Sequence, residues 1–61
     1  MKRRDVMRRL RQIAQSEGLE LKVREGSRHT VVAIGDRIDV VPRHNEINEH
    51  TARRIIRKME G

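Results

Sequence analysis

The spacing of apolar residues changes twice along this chain, and this change limits the fold more than any other feature. Near the N-terminus apolar residues recur every three or four positions, in the middle they alternate with polar ones, and near the C-terminus the helical spacing returns. The predicted elements are, in order, a helix Arg3–Glu17, strands Leu19–Arg24, His29–Ile34 and Arg37–Val41, and a helix Glu49–Met59. This order predicts an α+β fold, a three-stranded antiparallel sheet with two helices on one face.

Each predicted helix has one apolar stripe and clear signals at its ends. Gly18 follows the first helix as its stop, and Asn48 precedes the second as an N-cap, with Glu49 at the positive end of the helix dipole. The inward-facing residues are predicted to be Val6, Met7, Leu10, Ile13 and Ala14 in the first helix, and Ala52, Ile55, Ile56 and Met59 in the second. The polar faces of the two helices carry Arg4, Arg8, Arg11 and Gln15, and Arg53, Arg54, Arg57 and Lys58.

The charge of the chain indicates the class of its partner. Fifteen Lys and Arg against nine Asp and Glu give a net charge of +6, which favours a polyanion or an acidic protein as partner. The basic helix faces fit phosphate contacts, but they fit a solvated surface equally well, and cations near the end of the last helix also stabilise its dipole. Because the chain has no Phe, Tyr or Trp, stacking of RNA bases on aromatic rings is excluded.

The length of the chain and its lack of cysteine further limit the class of protein. The 61 residues are enough for one small domain, residues 1–61, with one modest core. The absence of cysteine excludes disulfides, thiolate metal sites and cysteine nucleophiles. No stretch is apolar enough for a signal peptide or a membrane span, so we expect a soluble cytoplasmic protein.

One turn, Glu25–Thr30, carries the candidate chemistry. Gly26 is expected to supply a backbone conformation with positive φ, and strong β-formers begin at Thr30, which places His29 at the junction of turn and strand. An imidazole gives or takes a proton near neutral pH, so His29 beside Arg28 is a candidate acid or base acting on an anion. An inert surface histidine is the alternative interpretation of this position.

The sheet face opposite the helices is expected to be uncovered. Lys22, Arg24, Thr30 and the polar residues of the third strand are predicted to be exposed there, because a small sheet with both helices on one side leaves the other side to solvent. That surface is then free for a ligand or a partner.

Several segments together resemble the HicA family of bacterial toxins. The resemblance covers nearly the whole chain, and the residues that carry it are Arg4-Asp5-Val6, Gly26-Ser27-Arg28-His29, Val41-Pro42-Arg43-His44 and Ala52-Arg53-Arg54-Ile55-Ile56. The resemblance implies a fold like that of double-stranded-RNA-binding domains, a ribosome-independent mRNA interferase activity and neutralisation by a HicB antitoxin. The family motif is Gly-Ser-His at the start of the second strand; here Arg28 stands between Ser27 and His29. His29 is therefore the residue to which the resemblance assigns catalysis.

The chemistry of RNA cleavage suggests roles for the residues around His29. RNA carries its own nucleophile, the 2'-hydroxyl, so cleavage needs groups that move protons and cations that hold the phosphate, with no need for a metal. His44 is a candidate second proton-transfer group, or else merely exposed, and His50 is interpreted as a bystander. The predicted RNA-binding residues are Lys22, Arg24, Ser27, Arg28, Arg43 and His44.

Two further classes of function remain open on these residues. A non-catalytic RNA- or DNA-binding module would show the same basic composition, because charge supplies affinity whether or not cleavage follows. A protein whose task is to occupy an acidic partner is the other class. No cofactor or metal is assigned, because the three histidines have no recognisable zinc spacing and no cysteine supplements them.

Overall fold

Two helices and three strands occur in the predicted order. The computed structural model describes all 61 residues, and its elements are α1 (Arg3–Ser16), β1 (Lys22–Glu25), β2 (His29–Ile34), β3 (Arg37–Pro42) and α2 (Glu49–Glu60). The strands form one antiparallel sheet in the order β1-β2-β3. The prediction of an α+β fold is therefore confirmed. Neither helix is long and apolar enough to cross a membrane.

The core lies between the two helices and the inner face of β2 and β3. All five residues of the predicted α1 stripe are buried, and α2 contributes Ala52, Ile55 and Met59, while Ile56 is only partly buried. The sheet supplies Val32, Ile34 and Val41. These side chains belong to a cluster of 12 buried apolar residues, and its members repeat at helical spacing in the helices and alternate in the strands. The periodicity of the sequence thus located most of the core.

The helix ends follow the predicted signals. Gly18 has φ +70°, the left-handed conformation that glycine adopts readily after a helix. At the start of α2 the Asn48 side chain accepts a hydrogen bond of 2.8 Å from the His50 backbone N–H. This bond satisfies one of the free N–H groups of the first turn, which confirms the N-cap. Ile47, just before the cap, is buried in the core with Ala52.

Strand β1 departs from the prediction in its length and in its burial. It begins at Lys22 rather than Leu19, and all four of its residues are exposed. Leu19 and Val23, expected on a buried face, are large exposed apolar side chains. The physical reason is the position of the helices: α2 packs on β3 and α1 packs on α2, so β1 is the edge strand farthest from α2.

The pairing of the strands places Thr30, Arg37 and Asp39 on the helix side of the sheet, whereas the sequence predicted them on the open face. Thr30, expected on the open face, is fully buried and pairs with Val41 on the helix side. Asp39 is also buried there, opposite Val32. Because Ile34 pairs with Arg37 across the two-residue Gly35-Asp36 turn, alternate residues of β3 from Arg37 onward face the helices. The open face of β3 consequently carries apolar side chains instead of polar ones: Ile38 and Val40.

Candidate functional site

The β1–β2 turn is closed by a backbone hydrogen bond. The Gly26 N–H donates to the His29 carbonyl at 2.8 Å, which leaves Ser27 and Arg28 exposed at the tip. The expected positive φ at Gly26 is wrong, since only other glycines have one. A Cβ at Gly26 would instead lie 3.0 Å from the His29 carbonyl oxygen. A larger residue at position 26 would therefore crowd this carbonyl, which would have to shift by a few tenths of an ångström.

His29 is the first residue of β2 and is exposed, as predicted. It pairs with Pro42 at the end of β3, and its side chain makes no hydrogen bond within the protein. Residues alternate between faces along a strand, so His29 lies on the face opposite to buried Thr30, which is the open face of the sheet. The imidazole is therefore accessible from the side that the helices leave uncovered.

The open face has an apolar centre and a cationic border. Two cross-strand rows run over it: Lys22 pairs with Ala33, which pairs with Ile38, and Arg24 pairs with Val31, which pairs with Val40. Ile38 and Val40 are 56% and 42% exposed, a large fraction for side chains in a sheet. Lys22 and Arg24 are exposed in β1, as predicted. The face thus presents cations on the β1 side and apolar side chains toward β3, with His29 at one end.

A polar network lies behind the turn, on the helix side of the sheet. The Thr30 hydroxyl donates to a Glu25 carboxylate oxygen at 2.7 Å and accepts a short hydrogen bond from an Arg3 guanidinium nitrogen. Arg3 also donates from Nε to the Pro42 carbonyl at 3.1 Å. Since Glu25 ends β1, Thr30 belongs to β2 and Pro42 ends β3, this one guanidinium ties the three strands together next to His29.

Arg43 also binds the turn, from the loop after β3. Its Nη1 donates to the Gly26 carbonyl at 2.7 Å, and its Nε lies 3.8 Å from the Glu25 carboxylate. The structure therefore brings Arg43 to the His29 turn, where its guanidinium binds the backbone of the turn. His44 is exposed in the same loop and makes no hydrogen bond or ion pair. His50 is exposed in the first turn of α2, and no group of three His, Asp or Glu side chains is arranged to hold a metal ion.

The shifted pKa values belong to ion pairs away from His29. Hydrogen bonds from Arg37 lower the pKa of the Glu17 carboxylate, and the same contact raises the pKa of Arg37. Hydrogen bonds to Glu46 and Glu49 raise the pKa of the Met1 amino group, and that amino group in turn lowers the pKa of Glu46. The Glu17–Arg37 pair joins the end of α1 to β3, and the Met1 pairs join the first residue to Glu46 and to the start of α2. These ion pairs therefore affect the stability of the fold and not the candidate site.

Sequence reasoning missed the network of Arg3, Thr30 and Glu25. For Thr30 a signal existed, because it has the same parity in β2 as Ile34, the largest apolar residue of the strand. For Arg3 no local signal existed, since its partners lie 27 and 39 residues away in the sequence.

Comparison of the chain with protein-family models, with curated proteins and with solved structures found no match.

Proposed function

We propose that this protein is a cytoplasmic HicA-like toxin, a metal-independent endoribonuclease that cleaves mRNA with His29 as proton-transfer group. The observation that carries the proposal is the placement of His29. It is accessible on the open face, on a turn whose backbone is fixed by Gly26 and bound by Arg43. Cations of the same face, Lys22 and Arg24, supply positive charge for an RNA strand that crosses it.

The proposed reaction uses the substrate's own nucleophile. His29 accepts the proton of the 2'-hydroxyl, the 2'-oxygen forms a bond to phosphorus, and the bond from phosphorus to the 5'-oxygen breaks. A proton donor, for which His44 is the candidate, protonates the leaving 5'-oxygen, and the products are a cyclic phosphate and a free 5'-hydroxyl. Arg28 and Arg24 are the cations proposed to stabilise the charge that develops on the phosphate.

The test is cleavage of labelled single-stranded RNA in EDTA by the parent protein and by a His29→Ala variant. Loss of general acid–base catalysis lowers a rate on the order of 100- to 10,000-fold, so the variant should be nearly inactive. His50→Ala is the matched control, because it removes an exposed histidine of α2, outside the His29 turn, and it should lower the rate by far less than His29→Ala does. His44→Ala should have a smaller effect than His29→Ala. If His29→Ala cleaved RNA at the parent rate, the assignment of His29 would be wrong.

A HicB-like antitoxin is the proposed protein partner. The open face offers the groups that such a partner would need: the exposed apolar side chains Ile38 and Val40 beside the cations Lys22 and Arg24. A protein with acidic and apolar side chains would complement this face and cover His29. Mixing the two proteins should stop cleavage in proportion to complex formed. Binding of a cognate HicB-like protein without loss of cleavage would contradict occlusion of the site.

A specific observation favours a second candidate, a non-catalytic RNA- or DNA-binding module. No hydrogen bond orients the His29 ring, and no hydrogen bond or ion pair joins His44 to the turn, whereas catalytic histidines are commonly held by a second group. Turnover separates the two candidates. A module would bind the labelled RNA with the same salt dependence and release it uncut, in the parent and in His29→Ala alike.

A further inference from the structure

A second basic surface lies on α2, in the helix layer. Positions 50, 53, 54, 57 and 58 repeat at spacings of three and four residues and therefore share one face of the helix. We name this surface the α2 cationic stripe, and its members, which line one open cleft together, are His50, Arg53, Arg54, Arg57 and Lys58. The stripe spans about 12 Å along the helix axis, because residues 50 and 58 are separated by eight steps of about 1.5 Å each. The cleft has no acidic and no apolar residue in its lining.

Of the four arginine and lysine side chains of the stripe, two form no ion pair and two lie 3.7 Å and 4.0 Å from a carboxylate. Arg57 and Lys58 form no ion pair, and Arg53 has only a Glu49 carboxylate 4.0 Å away, with both side chains exposed. Arg54 lies 3.7 Å from Oδ2 of buried Asp39, an oxygen that has no hydrogen bond. The helix dipole accounts for cations in the last turn, but it does not account for Arg53 and Arg54 in the middle of the helix.

The basic face of α1 differs from this stripe. Arg8 already lies 3.4 Å from Asp5, and Arg9 lies 3.7 Å from Glu60. The cleft beside α1 contains Arg8 and Arg11 but also a carboxylate, from Glu20, and apolar side chains. Negative and apolar groups in the lining make that cleft a poorer site for a polyanion than the α2 cleft.

We propose that the α2 cationic stripe is a second RNA-binding surface, which contacts the phosphate backbone independently of the His29 turn. RNA as the ligand rests on the proposed function, whereas the phosphate chemistry rests on the stripe alone. An acidic protein is the less favoured ligand, because protein interfaces have an apolar centre, which the open sheet face offers and the stripe lacks. With no aromatic residue in the chain, the stripe reads charge and backbone rather than base identity.

The salt dependence of RNA binding tests this proposal. The protein is prepared with His29→Ala, so that RNA is not consumed and the result does not depend on cleavage. The stripe variant adds Arg53→Gln, Arg57→Gln and Lys58→Gln, and leaves Arg54 in place because it faces the buried Asp39. The control variant adds Arg8→Gln, Arg9→Gln and Arg11→Gln, which removes the same charge from α1. Glutamine is a good helix former, and thermal melts followed by far-UV circular dichroism verify folding.

The expected result is a large difference between the two variants. Each phosphate contact on single-stranded RNA contributes about 0.7 to the slope of log K against log salt, so loss of three contacts should reduce the slope by about 2. The control should reduce it by less than half as much. A charge-preserving variant, Arg53→Lys with Arg57→Lys, should retain the parent slope. Single-stranded DNA of the same sequence should show the same loss in the stripe variant, because its phosphates are shared with RNA.

Three outcomes would overturn the proposal. Equal losses in the two variants would mean that only net charge matters and that α2 holds no site. An unchanged slope in the stripe variant would mean that RNA does not contact α2. A stripe variant that lost binding to polyglutamate while keeping its affinity for RNA would make the surface a protein-binding one. None of these outcomes bears on the catalytic role of His29, because that role is tested separately by whether His29→Ala still cleaves RNA.

Discussion

Replacement of Arg3 by methionine tests the polar network that joins the three strands beside His29. Methionine keeps the length and helix propensity of the side chain but removes the guanidinium that donates to Thr30 and to the Pro42 carbonyl. The backbone bond from the Arg3 N–H to the Asn45 carbonyl, at 2.8 Å, is retained. The change therefore isolates the side-chain contacts from the docking of the α1 N-terminus.

These contacts determine how much unfolding free energy the Arg3→Met variant should lose. A hydrogen bond to a charged group contributes about 1.5–3 kcal/mol, and the low end applies because the Arg3 side chain is 24% exposed. Two such bonds give about 3 kcal/mol. Arg3 is the first residue of α1, where a cation opposes the helix dipole, so its removal returns about 0.5 kcal/mol. We expect a net loss of about 2–3 kcal/mol from a total of about 3–9 kcal/mol for 61 residues.

The assay is urea denaturation followed by far-UV circular dichroism, because a chain without aromatic residues gives no intrinsic fluorescence. With a urea m-value of about 1 kcal/mol/M, the midpoint should fall by about 2–3 M. Arg3→Lys is the matched control: it keeps the charge but cannot present the guanidinium fork, so its loss should be intermediate. An Arg3→Met midpoint within about 0.5 M of the parent would refute the reasoning, and so would equal losses in the two variants.

Three further predictions concern the core, the Glu17 ion pair and the turn. Leu10→Ala, which empties a fully buried site, should lower the free energy of unfolding by about 2–5 kcal/mol. Much of the variant should therefore already be unfolded at the start of a thermal melt. Arg37 lowers the pKa of Glu17 in the folded protein, so this ion pair stabilises the fold at pH values above the usual glutamate pKa, and its contribution is lost as the pH falls through the folded pKa. The difference in unfolding free energy between the parent and Glu17→Gln should therefore shrink over that acidic range. A constant difference would contradict this prediction. Gly26→Ala should cost about 1–3 kcal/mol, because its Cβ would crowd the His29 carbonyl at 3.0 Å, and an unchanged melting temperature would exclude that contact.

The helices were predictable because their signals are local. The apolar stripe of α1, the Gly18 stop and the Asn48 cap each depend on residues within a few positions of one another. The same holds for the turns that separate the strands. Element order and fold class follow from such signals without any knowledge of tertiary contacts.

The faces of the sheet were less predictable because register depends on pairing. Thr30 was expected on the open face, yet pairing with Val41 places it under the helices. In β3 the apolar residues occupy both faces: Val41 inside, Ile38 and Val40 outside. A strand with apolar residues at both parities does not reveal its buried face, and only the Gly35-Asp36 turn length fixes the register.

The candidate site also has one part that local sequence signals predict and another part that depends on long-range contacts. The position of His29 at the start of an exposed strand follows from a glycine turn and a run of β-formers, and it is confirmed. The support of that turn comes from Arg3 and Arg43, which lie far away in the sequence. Long-range contacts of this kind have no local pattern, because any exposed arginine has the reach and the donors to make them.

The two basic surfaces differ in chemistry and lie on different layers of the molecule. The open sheet face combines cations with exposed Ile38 and Val40 and bears His29, whereas the α2 cationic stripe is purely polar and belongs to the helix layer. A protein partner gains from burying apolar area, which only the sheet face offers, and a phosphate backbone gains from unpaired cations, which the stripe supplies. Because α2 packs on the side of the sheet away from its open face, a partner that covers His29 leaves the stripe accessible. Under the two proposals together, inhibition of cleavage by such a partner therefore does not require release of RNA from α2.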